Sequence, residues 1–243
     1  MPSARLKYRA WRYRLKLNPG EIRLLRSVVP RGGAAIDIGA HKGAYTWWLA
    51  KGVGASGRVV AVEPQTRLAA YLRQEYAALP HVSIVEAAMA DRDGELMLST
   101  RGDGSSHGAS IHGFEDEPDA PVRPVQARKL SSIVTDAGLT RLDFIKCDCE
   151  GAELSVFAGE SALLARFRPV VLCEAEARHS ADGVDHLERL IQVFTEVGYQ
   201  AEFFLGRKLK PIAEFDPTKH QNYGHGLYAN NFLFRPATAN RGA

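Results

Sequence analysis

The sequence predicts a doubly wound α/β domain, a mostly parallel sheet with helices on both faces. Three observations carry that expectation. Short apolar runs of strand length alternate with stretches of helical periodicity from Pro19 onward, and parallel neighbours need such crossover helices between them. The first run ends in a glycine-rich turn, Gly39-Ala40-His41-Lys42-Gly43, at the place where open α/β sheets bind ligands. The composition, 45% hydrophobic and 24% charged over 243 residues with a net charge of +3, suits one domain with its own core and excludes a mainly disordered chain.

The elements follow in order. Residues 1–31 form a basic arm, with nine Lys and Arg against the single acid Glu21. That is a net of +8 in a chain of total +3, so the remainder carries −5. The arm reads as a helix that packs Leu6, Trp11, Leu15 and Leu17 on the body, or as a contact for a membrane surface, nucleic acid or an acidic substrate. Pro19 suits the first turn of a second helix with Ile22, Leu24, Leu25 and Val28 inward. Ala34–Ile38 is a buried strand, Tyr45–Lys51 a helix, and Arg58–Glu63 a second buried strand. Leu68, Leu72, Tyr76 and Leu79 recur at helical spacing, and Val82–Val85 is a third strand.

Gly94–Ser99 and Val122–Lys129 read as paired strands flanking a polar stretch, 101–120, without a core-forming pattern. Long loops of this kind are functional or mobile. Leu130–Ala137 is a helix, Leu142–Cys147 a strand, Glu153–Ala165 a helix and Val170–Cys173 a strand. Asp182 caps a helix carrying Val184, Leu187, Ile191, Phe194 and Val197 on one face. Ala201–Leu205 and Asn231–Phe234 are the last strands. The pattern gives seven sheet strands in one domain, residues 32–243, behind the arm. No apolar run reaches the roughly 20 residues of a membrane span, and three cysteines make no disulfide scaffold. The expected setting is the cytoplasm.

Two features at the strand ends point to a ligand. Glu63, at the end of the second strand, stands where an acid accepts hydrogen bonds from ribose hydroxyls. The glycine turn carries Asp37 two residues before Gly39, and an acid there repels phosphate but suits a sulfonium or an amine. The pair favours S-adenosylmethionine over NAD, whose fingerprint is G-x-G-x-x-G. An ordinary tight turn with a capping Asp is the reading that needs no ligand. The candidate cofactor set is Asp37, Gly39, His41, Gly43, Tyr45, Thr46, Glu63, Pro64, Ala88 and Asp148.

The densest polar cluster runs from Asp143 to Glu153, through Lys146-Cys147-Asp148-Cys149-Glu150-Gly151-Ala152-Glu153. Lys146, Asp148 and Glu150 share one parity, and a strand-end Asp148 points into the crevice of Gly39 and Glu63. With Asp37-Ile38-Gly39, Val62-Glu63-Pro64 and Asn230-Asn231-Phe232-Leu233-Phe234, this block resembles the FkbM-type S-adenosylmethionine-dependent methyltransferases, from Ala34 to Phe234. His41 stands where the family usually has Asn, and Cys147 and Cys149 where aliphatics are commoner. The resemblance implies the class I methyltransferase fold, a seven-stranded Rossmann-like sheet whose last strand is antiparallel. It also implies O-methylation of a small-molecule acceptor, a sugar or a polyketide-type product.

Candidates for removing the acceptor proton are Asp148, Glu174 and His179. Asp148 and Glu174 are alternatively a Mg²⁺ pair. Ser105, Ser106, Glu150 and Glu176 are candidate acceptor contacts, with His107 and Ser110 beside the serines. Each also has a plain reading, as a solvated loop residue. A zinc site lacks the paired ligands it needs, and a cysteine nucleophile lacks a neighbouring base. The rival functions are an RNA methyltransferase that uses the arm, and a cofactor-binding scaffold without turnover. The body shows no basic and aromatic patch, so no nucleic-acid partner is expected. The arm leaves a lid, a homodimer contact and a membrane-surface tether open.

Overall fold

The computed structural model describes residues 1–101, 109–110, 113, 117, 119–179, 183–222 and 226–237. The chain begins with α1 (Ala4–Arg12), capped by the Ser3 hydroxyl accepting from the Leu6 amide, and a π-helical turn (Tyr13–Leu17). Then follow α2 (Pro19–Val28), β1 (Ala34–Ile38), α3 (Ala44–Val53), β2 (Arg58–Val62), α4 (Thr66–Tyr76) and β3 (Val82–Val85). A second group comprises β4 (Ala88–Met89), β5 (Gly94–Thr100), β6 (Ala109–Ser110) and β7 (Val122–Arg128). The alternation resumes with α5 (Leu130–Asp136), β8 (Phe144–Asp148), α6 (Glu153–Phe157), α7 (Ser161–Phe167), β9 (Val170–Glu174) and α8 (Val184–Glu196). It ends with β10 (Tyr199–Leu205), β11 (Lys208–Pro211), α9 (Pro217–His220) and β12 (Asn231–Pro236).

The main sheet has the order β11-β10-β12-β9-β8-β1-β2-β3. The five strands from β9 to β3 run parallel, and β12 lies antiparallel between β9 and β10. The doubly wound fold is the expected one, with the last strand inserted inside the sheet. β11 is an eighth strand that the sequence pattern did not predict. It returns along β10 through the two-residue turn Gly206-Arg207, a tight hairpin connection. The paired strands of 94–100 and 122–128 form the centre of a separate four-stranded sheet, β4-β7-β5-β6.

Side-chain alternation splits the core between two faces. Ile36, Ile38, Ile145, Cys147, Val171 and Cys173 face one way, under α8 and the aromatic cluster of Phe157, Phe194, Phe203, Phe232 and Phe234. Ala35, Val59, Ala61, Phe144 and Leu172 face the other, under α2, α3 and α1. The order reverses between β1 and β8, since β2 and β3 build outward one way and β9 the other. That is where a ligand crevice opens.

Two expectations change. The predicted helix from Glu153 to Ala165 is two helices, because Ala158 is extended (ψ 125°) and Gly159 left-handed (φ 81°). In the arm, Leu6 and Ala10 are buried on the body, whereas Trp11, Leu15 and Leu17 are exposed. The inward stripe runs through positions 6, 10 and 13, which places 8 and 15 on the opposite side and 11 at the margin, where the half-exposed Trp11 packs edge-on to the buried Trp48. The predicted cap Asp182 and the loop residues Ser105, Ser106 and His107 lie outside the described residues. No helix among the described residues is long and apolar enough to cross a membrane.

Phe194 is fully buried and stacks on Phe234 with centroids 4.0 Å apart. Phe194→Ala is expected to cost about 3–5 kcal/mol. Thermal unfolding followed by circular dichroism should show Tm lowered by roughly 6–20 °C.

Candidate active site

The carboxyl ends of β1, β2, β8 and β9 open on a cleft of about 680 Å³, a size suited to a small-molecule ligand. Its floor is the glycine turn. Gly39 has φ 72°, and a Cβ there would lie 1.8 Å from the Asp148 carbonyl oxygen. Only glycine lets the turn pass so close to the end of β8. The amides of Gly39 and Ala40 both donate to the Val62 carbonyl, which ties the turn to β2.

Glu63 follows β2 and is buried. Its carboxylate accepts from the His41 amide at 2.7 Å and from the Gln65 amide at 3.0 Å. Burial raises its pKa to about 7 against the lowering effect of those two amides. Asp37 is buried at the end of β1 and accepts from the Thr46 hydroxyl. Burial raises its pKa to about 6, with the Thr46 bond and the Lys146 charge pulling the other way.

Lys146 is the one buried ammonium among the described residues. It pairs in register with Asp37 across β1 and β8, and Asp148 pairs in the same way with Glu174 across β8 and β9. The Lys146 Nζ donates to the Cys147 carbonyl at 2.9 Å. It stands 4.0 Å from Asp148 Oδ2, 3.9 Å from Glu174 Oε2 and 5.3 Å from the centre of the Tyr45 ring. Burial alone would lower the ammonium's pKa; the Asp148 and Glu174 charges outweigh it, and the net direction is upward. Burial also raises Asp148, partly offset by Lys146, and pushes Glu174 well above the usual carboxylate range, helped by the Asp148 charge. Two carboxyls this close titrate as a pair and retain a proton between them.

Hydrogen bonds behind these groups fix their positions. Asn230 donates to Glu174 Oε1 at 2.7 Å. Glu176 is buried and accepts from the Tyr228 hydroxyl at 2.5 Å and from Arg178 Nε at 2.6 Å. Glu153 is buried at the start of α6 and accepts from the amides of Cys149 and Gly151. It thereby shapes the turn after Asp148, where Glu150 takes φ 47°. The Cys147 and Cys149 sulfurs are 3.6 Å apart, and all three cysteines are free.

Of the predicted cofactor residues, Asp37, Gly39, His41, Tyr45, Glu63, Pro64, Ala88 and Asp148 line the cleft. Gly43 and Thr46 stand behind it. Gly43 is the N-cap of α3 and packs against Leu72 and Tyr76, and Thr46 is buried on Asp37. Glu150, Glu174 and Glu176 line the opposite part. The backbone of His179 ends a short 3₁₀ turn, Ala177–His179; its side chain, like Ser105 and Ser106, lies outside the description.

The pattern reading missed one wall. Arg9, Tyr13, Leu17 and Asn18 of the arm line the cleft, as do Met89 and Leu98 of the small sheet. Tyr13 packs edge-on to Tyr45 at 5.9 Å. Its pKa is raised by burial and by the charges of Asp148 and Glu174. The Tyr45 hydroxyl, itself buried, has no hydrogen-bond partner among the described residues. Arg9 fixes the arm by donating to the Lys42 carbonyl and the Tyr71 hydroxyl.

The site does not suit the Mg²⁺ reading. The cation position between Asp148 and Glu174 is taken by Lys146 Nζ. Among the described residues, no three His, Cys, Asp or Glu side chains gather to hold an ion. Mg²⁺ asks for near-octahedral oxygen ligation, and two carboxylates shared with an ammonium do not provide it.

Comparison with known proteins places this geometry in context. Residues 37–201 match the methyltransferase FkbM domain model. A 2-O-methyltransferase of Sinorhizobium fredii, NoeI, is 27% identical over 146 residues, which is 55% of this chain. The match spans 59% of that relative's length. Among solved structures, Methyltransferase FkbM of Methylobacillus flagellatus aligns over 93% of this chain and 53% of its own, at 16% identity and a TM-score of 0.50. The O-methyltransferase TomG of Streptomyces achromogenes, solved with S-adenosylmethionine, aligns over 98% of this chain and 92% of its own, at 13% identity and a TM-score of 0.53. At these identities the structural matches establish the class I methyltransferase fold.

Lys146→Met leaves the Asp148 and Glu174 charges without their counter-ion. The expected loss is roughly 3 kcal/mol, at the low end for a broken buried pair because Asp148 reaches the cleft. In the variant the folded chain holds carboxyl protons to higher pH than the unfolded chain does. That stabilisation is present at low pH and disappears as pH rises through the folded values. The Tm deficit relative to wild type should therefore grow between roughly pH 5 and pH 8, as thermal unfolding in a pH series would show.

Proposed function

The chain belongs to the FkbM methyltransferase family, and from that premise we propose that it is an S-adenosylmethionine-dependent O-methyltransferase acting on a saccharide hydroxyl. The observation that carries this reading is the acidic crevice around the Gly39 turn. Asp37, Glu63, Asp148 and Glu174 meet at the switch point with one buried ammonium among them. Such a crevice repels a pyrophosphate and attracts a sulfonium. Bound there, the cofactor supplies an electrophilic methyl group for in-line transfer to an oxygen.

In this reading Glu63 accepts from the ribose hydroxyls with the lone pairs its two amide donors leave free. Ala88, Met89 and Leu98 form the apolar wall for the base, and the Gly39 turn holds the methionine portion close to β8. The acceptor lies between Asp148, Glu174 and the arm's Tyr13. Glu174 is held by Asn230, and burial together with the Asp148 charge pushes its pKa well above the usual carboxylate range. Asp148, its side chain 37% exposed toward the cleft, takes the proton of the acceptor hydroxyl. Glu150, Glu176 and Arg178 offer the polar contacts a sugar needs, and Tyr13 offers a ring face. The 2-O-methyltransferase relative supports oxygen as the acceptor atom.

Calorimetry with S-adenosylmethionine tests the cofactor step. Wild type should bind, and Glu63→Ala should bind about 10- to 100-fold more weakly, the loss of one charge-assisted pair of hydrogen bonds. Because the ligand favours ionised Glu63, with a pKa of about 7 in the free protein, affinity should rise from pH 5.5 and level off above roughly pH 7.5. Absence of binding by wild type would sink the reading. For the transfer itself, a labelled methyl donor is offered with saccharides, polyketides and RNA. Asp148→Asn should lower kcat on the active acceptor by about 10²-fold or more.

A further inference from the structure

The arm presents a second face that no part of the described chain covers. Positions 4, 5, 8, 11, 12, 15 and 16 are all exposed and follow one another at helical spacing along α1 and the π-helical turn. On this stripe Tyr8 is 73%, Trp11 45% and Leu15 60% exposed, with Leu17 at 47% beside them. Arg5, Arg12 and Lys16 stand among these side chains, and residues 1–20 contain no acid. The opposite side of the same helix is anchored. Leu6 and Ala10 are buried, the Trp48 indole donates to the Ala10 carbonyl at 2.8 Å, and the Ser3 hydroxyl donates to Glu75 at 2.6 Å. The outer face is thus held in place as a preformed surface.

We propose that this face docks on an anionic phospholipid bilayer, with Tyr8, Trp11 and Leu15 entering the headgroup boundary and the flanking cations meeting lipid phosphates. A helix with an exposed apolar stripe between Lys and Arg side chains matches such an interface in both chemistry and charge. The charge pattern decides against a second copy of this chain, since a two-fold contact would set cations against cations with no acid on either side. Nucleic acid is also disfavoured. Leu15 and Leu17 gain nothing from a phosphate backbone and offer no ring face on which a base could stack. Arg26, over the Trp48 ring at 5.6 Å, adds a further cation beside this face. Leu17 is exposed and also lines the cleft, so docking sets the cleft mouth beside the lipid surface.

The test is sedimentation of the full chain with phosphatidylcholine vesicles and with phosphatidylcholine–phosphatidylglycerol vesicles, alongside tryptophan emission. Wild type should bind the anionic vesicles at least tenfold more tightly than the neutral ones, with a blue shift. Each cation removed should weaken binding by about fivefold. The double variant Tyr8→Asp and Leu15→Asp, both outside the cleft, should lose at least tenfold in vesicle binding, while its Tm stays that of wild type. Failure of wild type to bind anionic vesicles overturns the proposal. So does vesicle binding that the double variant retains, which would reduce the face to an unspecific polycation. A concentration-dependent dimer abolished by the double variant, or RNA binding as tight as vesicle binding, would overturn it too.

Discussion

The site depends on one buried charge. Lys146 sits on the central strand of the sheet, on the face that packs against the α2 and α3 helices, where an isolated ammonium would shed its proton or unfold the strand. It remains charged because register places Asp37 beside it on β1, and because Asp148 and Glu174, themselves register partners, close over it at the strand ends. The dependence runs both ways. Four carboxyls at one crevice repel one another, and without the ammonium they would take up protons or spread apart. The charge arrangement therefore fixes β1, β8 and β9 to a single register, since a slip of one residue would turn every member to the other face.

The rest of the crevice conserves that arrangement through hydrogen bonds that contribute no chemistry of their own. Asn230 reaches Glu174 from β12's leading edge, and Glu176 binds Tyr228 and Arg178. This network explains why an antiparallel strand inserted between β9 and β10 matters to the site: it brings Asn230 to the end of β9. On the other side Glu153 folds the turn after β8 over its own carboxylate. The Gly39 turn then passes within a distance of that turn that leaves no room for a side chain. Geometry at the crevice is thus set by residues from the full length of the chain.

This dependence on distance decides what the sequence revealed. Strand alternation and glycine position are local signals, so β1, β2, β8 and β9 and the residues at their ends were legible, and with them many of the residues that line the cleft. Asp37, Glu63 and Asp148 meet at one cleft because strand ends converge wherever a parallel sheet is read correctly. Lys146 reads from the sequence as a strand residue that pairs with Glu150 or Glu174; Glu174 is the partner found, and the choice follows from cross-strand register, which no periodicity reports. The two-residue turn before β11 was readable in Gly206-Arg207, between two runs of strand composition. Gly159 likewise marked the break between α6 and α7. The cleft wall built from Arg9 and Tyr13 had no local signal, because it requires knowing that the arm folds back beside α3 and α4.

The arm also changes the meaning of the charge split. A segment of net +8 beside a body of net −5 suggests attraction between the two, yet few of its cations are spent on that body. Arg9 binds a carbonyl and a tyrosine hydroxyl, and Arg14 and Arg26 lie over tryptophan rings. Within the crevice, Lys146 is the counter-ion of Asp148 and Glu174. What attaches the arm is apolar contact through Leu6 and Ala10, together with the Ser3–Glu75 and Trp48–Ala10 bonds. With attachment achieved by one face, the cations of the other remain available. A helix that needed only to roof the cleft would carry solvating residues of either sign on its outer face, as most exposed helix faces do. An outer face of one sign with aromatic and aliphatic side chains between the charges is instead matched to a surface that is negative outside and apolar beneath. The roof of the crevice and the docking face are then two sides of one helix, and what the first admits is set by where the second is held.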